Sequence, residues 1–155
     1  MNEVLAGVIS DTHALIRPEA ISVLRGCDLI IHAGDIGSPD VIARLCDVAP
    51  TFVVRGNNDT GPWAAGLPVT QTVEVGSLRF YVLHELRALG LDPAAGGFAA
   101  VVCGHSHQPV VRFREGVLYL NPGSAGPRRF KLPVTVARVH VSGHDLQPEI
   151  VELQV

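Results

Sequence analysis

The sequence predicts an α/β fold in which two β-sheets pack as a β-sandwich flanked by helices, within a single domain that spans residues 1–155. Three features support this prediction. The chain has 155 residues, of which 47% are hydrophobic, which is enough for one core but not for two. Short apolar segments recur along the chain, with helical or turn-rich stretches between them. Strands and helices alternate in the first part, whereas strands follow one another closely in the second.

Ten short apolar segments have the length and residue types typical of β-strands. They are Val4–Ser10, Leu29–His32, Thr51–Val54, Val69–Val75, Leu78–Leu83, Ala99–Cys103, Val110–Arg114, Val117–Asn121, Val134–Val141 and Asp145–Glu152. Two segments that begin with a proline suited to a first helical turn are predicted to be helices, Pro18–Leu24 and Pro39–Cys46, the second with Ser38 as its N-cap. A further short helix is expected within Glu85–Gly90.

The order of these elements predicts how the two sheets are built. Alternation of strand and helix up to Val54 is typical of parallel βαβ units. From Val69 onward, closely spaced strands with tight turns at 74–77 and 114–116 are typical of hairpins. We therefore expect two packed sheets with the helices on the outside.

Charge and cysteine content exclude several classes of protein. A net charge of −3 provides no broad basic surface for a phosphate backbone, so nucleic acid is not an expected partner. The N-terminal apolar run is short, lacks a basic flank and enters a polar motif at once, which favours a buried strand over a signal peptide or membrane span. Three cysteines without CxxC spacing favour a reducing compartment, and we expect a cytoplasmic protein.

Residue types that bind metals follow five of the predicted strands, at the point where each strand ends. In chain order they are Asp11, His13, Asp35, Asn57, His84, His105 and His107. Because ligand sites in α/β sheets form beyond the carboxyl ends of the strands, we expect these side chains to meet. Ordinary turn polarity accounts for a single aspartate or asparagine after a strand, but it does not account for four histidines in such positions.

Spacing and residue type indicate that this cluster is a metal centre. Within the pairs Asp11/His13 and His105/His107, the two residues are two positions apart and point the same way at a strand end. Carboxylate, imidazole and amide oxygen without thiolate suit manganese, iron or zinc. The same mixture argues against a structural zinc site built from cysteines.

The ordered set Asp-x-His, Gly-Asp, Gly-Asn-x-Asp, a lone His and Gly-His-x-His resembles the signature of the calcineurin-like metallophosphoesterases. The resemblance runs from Asp11 to Ser124. The chain length and the Asn-Pro-Gly-Ser sequence that ends at Ser124 are similar to those of the small microbial phosphodiesterase branch. The resemblance implies an αββα sandwich and two divalent metal ions, with manganese expected first and iron, nickel or zinc as alternatives.

The resemblance also implies a ligand set for each ion. One ion would bind Asp11, His13, Asp35 and His107, and the other would bind Asp35, Asn57, His84 and His105, with Asp35 bridging. Two such ions can share a water, convert it to hydroxide near neutral pH and neutralise phosphoryl oxygens during in-line attack. The expected activity is therefore that of a dinuclear metal-dependent phosphodiesterase acting on a small phosphoester substrate.

Three positions depart from the pattern of the superfamily. Many members carry a histidine, which can assist the leaving group, where this chain has Asn58. Asn58, at the position of this histidine, is the candidate catalytic residue. Its amide can donate a hydrogen bond but cannot be a general acid, so diesters with good leaving groups, such as aryl diesters, are the expected substrates. Ala14 and Glu85 stand where glycine is usual, and Glu85 could tune His84, bind an ion or point to solvent.

Two residues near these motifs are expected to be structural. Asp59 is predicted to bond the backbone or to hold Asn58. His32 lies inside an apolar run and is predicted to be a satisfied core histidine, with support of a metal ligand as the alternative.

Two other functions stay open. A phosphomonoesterase or nucleotidase is disfavoured by Asn58. A non-catalytic binding scaffold of the same fold, such as the retromer subunit of eukaryotic sorting complexes, is disfavoured by seven intact ligands. A homodimer is compatible with the sequence, although no residue argues for one.

Overall fold

The computed structural model describes residues 3–155, which form ten strands, two α-helices and one short 3₁₀ helix. In chain order these are β1 (Glu3–Ile9), α1 (Pro18–Leu24), β2 (Leu29–His32), α2 (Pro39–Cys46), β3 (Thr51–Val53), β4 (Thr70–Val75), β5 (Leu78–Leu83), the 3₁₀ helix (Leu86–Ala88), β6 (Ala100–Val102), β7 (Val110–Arg114), β8 (Val117–Asn121), β9 (Thr135–Ser142) and β10 (Asp145–Glu152).

The strands form two five-stranded mixed sheets, with the orders β10-β9-β1-β2-β3 and β4-β5-β6-β8-β7. In the first sheet β1, β2 and β3 are parallel, and β9 and β10 run antiparallel to their neighbours. In the second sheet β5, β6 and β8 are parallel, and β4 and β7 are antiparallel edge strands. The predicted two-sheet sandwich flanked by helices is confirmed.

The main core lies between the two sheets and is filled by alternate residues of their strands, among them Val8, Phe80 and Leu118. A second core lies between the first sheet and the two helices, where Leu24 and Leu45 are fully buried. Alternation of side chains along each strand explains how one sheet contributes to both cores.

The element boundaries differ from the predicted ones by about one residue, which is the usual uncertainty of a strand or helix end. Helix α2 begins as predicted, because the Ser38 hydroxyl accepts a hydrogen bond of 3.1 Å from the backbone N–H of Asp40. The predicted short helix within Glu85–Gly90 is the 3₁₀ turn. Among residues 3–155, no helix is long and apolar enough to cross a membrane.

Candidate metal centre

The carboxyl ends of the parallel strands from both sheets meet at one edge of the sandwich. The predicted ligands follow β1, β2 and β3 of the first sheet and β5 and β6 of the second. Parallel neighbours must end on the same side, so chain direction brings these residues together. The five strand ends that the sequence predicted to converge lie at this edge.

One compact group consists of Asp11, His13 and His107. The Nε2 atom of His107 lies 3.4 Å from Oδ1 of Asp11 and 3.4 Å from Nε2 of His13. The Nε2 atom of His13 lies 3.9 Å from the same aspartate oxygen. Two imidazoles and one carboxylate around a common point are a donor set that suits a first-row divalent ion.

A second compact group consists of Asp11, Asp35 and His84, all of them buried. The Nε2 atom of His84 lies 3.3 Å from Oδ2 of Asp35 and 3.9 Å from Oδ1 of Asp11. The same Asp35 oxygen lies 3.8 Å from Nε2 of His13 in the first group. Asp35 therefore belongs to the second group and lies close to the first, whereas Asp11 belongs to both groups.

Asn57 and His105 lie at the solvent side of the second group. Oδ1 of Asn57 is 3.2 Å from Nδ1 of His105, and both residues are exposed. The ring centroid of His105 is 5.2 Å from that of His84. His105 belongs to neither compact group of acidic and histidine ligands, and Asn57 lies beside it.

The hydrogen bonds of Asp11 leave one of its oxygens free to face the centre. Oδ2 accepts hydrogen bonds from the Ser10 hydroxyl, at 2.6 Å, and from the backbone N–H of His105, at 3.1 Å. Oδ1 is buried and has no hydrogen-bond partner within residues 3–155. A buried carboxylate oxygen without a partner is costly unless a cation or a proton occupies the space before it.

His84 shows the same pattern. Its Nδ1 atom donates a 2.8 Å hydrogen bond to the carbonyl of Ala33, which leaves the lone pair of neutral imidazole on Nε2. That atom is buried, lacks a hydrogen-bond partner among the described residues and faces the carboxylates of Asp11 and Asp35. Metal-bound histidines have this arrangement, in which a backbone carbonyl fixes the ring. The donor set therefore fits divalent metal ions.

The ionisation of these groups follows from their mutual proximity. Burial raises the pKa of the Asp35 carboxyl, but the His84 imidazole and hydrogen bonds from Asn58 outweigh burial and hold this pKa well below its usual range. Burial lowers the pKa of His84, yet Asp35 and Asp11 raise it above its ordinary value overall. Carboxylates that stay ionised while facing an imidazole create a pocket that attracts a cation.

Five of the seven predicted ligands adopt left-handed backbone conformations. The φ angles are 55° for Asp11, 47° for His13, 56° for Asp35, 74° for His105 and 63° for His107. Such conformations cost on the order of 1–3 kcal/mol each in residues other than glycine, and they cluster at functional sites. The surrounding hydrogen bonds must therefore hold each side chain where it points into the centre.

Glycine permits the close contact between the loop after β2 and the loop after β3. A Cβ atom on Gly34 would lie 2.7 Å from Nδ1 of His84 and 3.0 Å from the backbone of Gly56. Gly34 also has a φ of 103°, which favours glycine. A larger residue there would push His84 away from Asp35.

Asp59 joins the same two loops through its carboxylate. It accepts backbone N–H hydrogen bonds from Ile36 at 3.1 Å, from Gly37 at 2.9 Å and from Gly56 at 2.9 Å. The side chain is buried. Asp59 thus has the backbone-bonding role predicted from the sequence, and it supports the loops that carry Asp35 and Asn57.

His32 joins the loop after β1 to the loop after β2. Nδ1 accepts the backbone N–H of Gly34 at 3.1 Å, so the ring proton is on Nε2, which donates to Thr12 Oγ1 at 3.0 Å. Thr12 in turn donates to the carbonyl of Ile36 at 2.8 Å. Burial lowers the pKa of His32 to about 4. The sequence predicted a satisfied core histidine, whereas the role of Thr12 carried no recognisable signal.

The Asn-Pro-Gly-Ser segment, residues 121–124, stabilises two loops that carry predicted ligands. The Asn121 amide donates to the carbonyl of Gly104 at 3.0 Å and to the Ser106 hydroxyl at 3.1 Å. The Ser124 hydroxyl donates to the carbonyl of Asp11 at 3.0 Å. The sequence marked this segment only as part of the resemblance, and these hydrogen bonds give it a physical role in holding two ligand loops.

Asn58 and Glu85 each contact a predicted ligand. The Asn58 backbone N–H donates to Oδ1 of Asp35 at 2.9 Å, and its side-chain amide donates to Oδ2 at 3.0 Å. Oε1 of Glu85 lies 3.5 Å from Nε2 of His105. Of the roles considered for Glu85, tuning a histidine agrees with this contact, although the histidine is His105 instead of His84.

Comparisons with known proteins agree with this site. A family model described as the calcineurin-like phosphoesterase superfamily domain matches residues 4–144. A protein described as a probable metallophosphoesterase from Methanothermobacter thermautotrophicus is 36% identical, and the match covers 95% of this chain and 91% of that protein. A phosphodiesterase from Methanocaldococcus jannaschii is 27% identical, over 76% of this chain and 81% of that protein.

Among solved structures, vacuolar protein sorting 29 from Cryptosporidium parvum superposes with a TM-score of 0.77. The superposition covers 97% of this chain and 98% of that one, at 16% sequence identity. Identity this low indicates a shared fold and nothing further. The fold is therefore found in proteins whose sequences have diverged widely.

Proposed function

Since the chain belongs to the calcineurin-like phosphoesterase superfamily, whose members depend on metal ions, we propose that it hydrolyses phosphodiesters at a centre of two divalent ions. The observation that carries this proposal is the pair of compact ligand groups, which share Asp11 and of which the second, containing Asp35, lies close to the first. Two groups so close together fit two neighbouring ions better than one.

In this proposal each predicted ligand contributes to one ion or to both. The first ion would be held by Asp11, His13, Asp35 and His107, and the second by Asp35, Asn57, His84 and His105. When bound, two such ions supply an activated water and neutralise charge on the phosphoryl oxygens. The residues of the chain orient these ligands, and the exposed side of Asn57 and His105 leaves room for a substrate.

Residues around Asp35 bear on the choice between diesters and monoesters. The Asn58 amide donates to Asp35 and has no proton to give to a leaving alkoxide. A diester with a good leaving group needs such a proton least. The relative from Methanocaldococcus jannaschii is itself named a phosphodiesterase, which supports the same preference.

We propose manganese as the first choice of metal. Iron, nickel and zinc are alternatives, because carboxylate, imidazole and amide ligands accept all of these metals. We propose the cytoplasm as the place of action. Cys27, Cys46 and Cys103 are free thiols, which suits a reducing compartment.

A non-catalytic scaffold of the same fold is the second candidate, because vacuolar protein sorting 29 has this fold and is named for sorting and not for hydrolysis. The buried, unpartnered atoms of Asp11 and His84 weigh against it, because a scaffold has no need of a costly polar cluster.

The deciding experiment measures hydrolysis of a bis-aryl phosphodiester by chelator-treated protein, with and without added manganese. We expect metal to restore activity in the wild type, but not in Asp35→Ala or His84→Ala. The matched control is His144→Ala, which removes an exposed histidine at the β9–β10 turn and should keep full activity. No activity with manganese, iron, nickel or zinc in folded protein would leave the scaffold as the better candidate.

A further inference from the structure

A mostly apolar cavity of about 270 Å³ adjoins the candidate metal centre. It lies at the end of the second sheet, beside the 3₁₀ turn. The residues that line it include Leu86, Cys103, Val110 and Tyr119, and His105 also lines it. The charged residues Glu85 and Arg87 line it too, and both are at least partly exposed to solvent.

We propose that this cavity binds an uncharged aromatic group carried by the phosphodiester substrate. The inference rests on the proposed function, and it adds the chemical class of one ester substituent. His105 connects the two regions, because Nδ1 of its ring lies beside Asn57 while Nε2 lies beside Glu85 at the cavity. A phosphate held near His105 therefore has an apolar space next to it.

The size of the cavity suits a ring. An apolar cavity of about 150 Å³ is large enough to bind benzene, so a cavity of about 270 Å³ accepts one ring with a substituent or a fused pair of rings. A methyl ester would leave most of this space to water. Apolar walls around such a space favour a ring over a short alkyl group.

A second cavity, of about 320 Å³, adjoins the first and is lined by Arg55, Asn57, Val69 and His84 among others. Glu85 lines both cavities. A phosphate bound near Asn57 and His105 therefore has room for an organic group on either side of Glu85. Two spaces match the two substituents of a diester, whereas a monoester would fill only one.

The charged residues define the ring further. The Glu85 carboxylate repels an anionic substituent and accepts hydrogen bonds from donor groups on a ring. The Arg87 guanidinium can lie against an aromatic face, as arginine does in cation–π contacts. The class that fits is a phosphodiester with one neutral aromatic substituent.

The test measures binding of two phosphonate monoesters, methyl phenylphosphonate and methyl methylphosphonate, whose P–C bond is inert to hydrolysis and whose only ester leaving group is the poor leaving group methoxide. Each carries one negative charge, as a diester does, and they differ only by the ring. With manganese-loaded protein in a calorimeter, we expect the phenyl compound to bind about tenfold more tightly or better. Equal binding, or no binding of either anion, overturns the inference.

Two matched substitutions locate the ring. Val110→Trp places a large side chain in the apolar cavity and should abolish the preference for the phenyl compound. Val69→Trp makes the same change in the second cavity and should leave the ratio of the two dissociation constants unchanged. Leu86→Ala removes an exposed wall residue with little risk to folding, and it should lower phenyl binding alone. A ratio that changes only in Val69→Trp would place the ring in the other cavity and overturn the inference.

Failure of this inference is distinguishable from failure of the proposed function. If the loaded protein cleaves diesters but binds both phosphonates equally, the cavity is not an aromatic site and the activity stands. If it prefers the phenyl compound but cleaves no diester, the cavity binds aromatic anions and the proposed activity is wrong.

Discussion

The imidazole of His105 lies between Asn57 and Glu85, with its Nε2 atom 3.5 Å from Oε1 of the glutamate. The other ring nitrogen, Nδ1, lies 3.2 Å from Oδ1 of Asn57. If His105 held an ion, Glu85 would be placed to orient the ring and to make the ligating nitrogen more basic, as in carboxylate–histidine–metal arrangements. Glu85 stands where the superfamily pattern has glycine, so this contact depends on a residue that departs from that pattern.

We predict that Glu85→Gln weakens binding of the second ion by about tenfold, because partners of this kind typically contribute 10–100-fold to metal affinity. Calorimetric titration of chelator-treated protein with manganese measures it. Glu85→Asp should recover part of the affinity. The control is Glu74→Gln, which neutralises an exposed carboxylate on β4. Identical affinities in Glu85→Gln and wild type would show that the carboxylate does not act on His105.

We predict that Asn58→His raises hydrolysis of alkyl esters more than hydrolysis of aryl esters. A positioned acid typically contributes about 10²–10⁴-fold, and a poor leaving group gains most from it. Because the Asn58 amide also donates to Asp35, Asn58→Ala serves as the control for loss of that hydrogen bond. The ratio of kcat/KM for the two ester types is the measurement. Equal changes for both esters would contradict the prediction.

We predict that Asp59→Asn destabilises the protein by about 2–3 kcal/mol. The carboxylate accepts three backbone N–H groups, whereas an amide offers one oxygen and leaves at least one buried donor unpaired. Urea denaturation measures the free energy of unfolding. The control is Asp145→Asn at an exposed strand end, which should change it by less than about 0.5 kcal/mol. A similar small effect at Asp59 would mean that water replaces the lost acceptor.

We predict that the free energy of unfolding of the chelator-treated protein decreases as the pH falls from 6.5 to 4, because His32 is neutral and buried in the folded state. Burial lowers the pKa of His32 in the folded state to about 4 from an ordinary value of 6.5. In this window the unfolded chain binds a proton that the folded chain does not. The contribution of neutral His32 to the free energy of unfolding is therefore complete above pH 6.5 and decreases below it. The total loss is about 3 kcal/mol.

The test compares wild type with His32→Gln, because contributions from Asp35 and His84 then largely cancel. The difference in unfolding free energy between the two proteins should shrink as the pH falls through the window. A difference that stays constant from pH 7 to pH 4 would contradict a neutral buried His32.

The sequence predicted the elements, and strand direction places the residues that follow parallel strands at one end of each sheet, as with Asp35 and His84. It could not predict that Asp11 belongs to both compact groups, since this depends on how one carboxylate rotates between Ser10 and His105. The left-handed backbone of Asp11 is equally hidden, because aspartate tolerates several conformations and tertiary hydrogen bonds select among them.

The apolar cavity was also beyond sequence reasoning. Its walls come from the loop after β6, from β7, β8 and the 3₁₀ turn, and each wall residue alone is ordinary for a strand, a loop or a turn. Whether Tyr119 and Leu86 fill a space or border one depends on how the turn packs against the sheet. Such packing is a property of the assembled structure and leaves no periodic pattern.

His13 and His107 face each other although 94 residues separate them in the chain. During synthesis, a nascent polypeptide that ends before β6 therefore lacks His105 and His107, two of the seven predicted ligands. Closing so large a loop carries an entropic cost that the docking of both sheets must offset first. An ion that needs donors from both sheets would therefore bind only after the two sheets have joined.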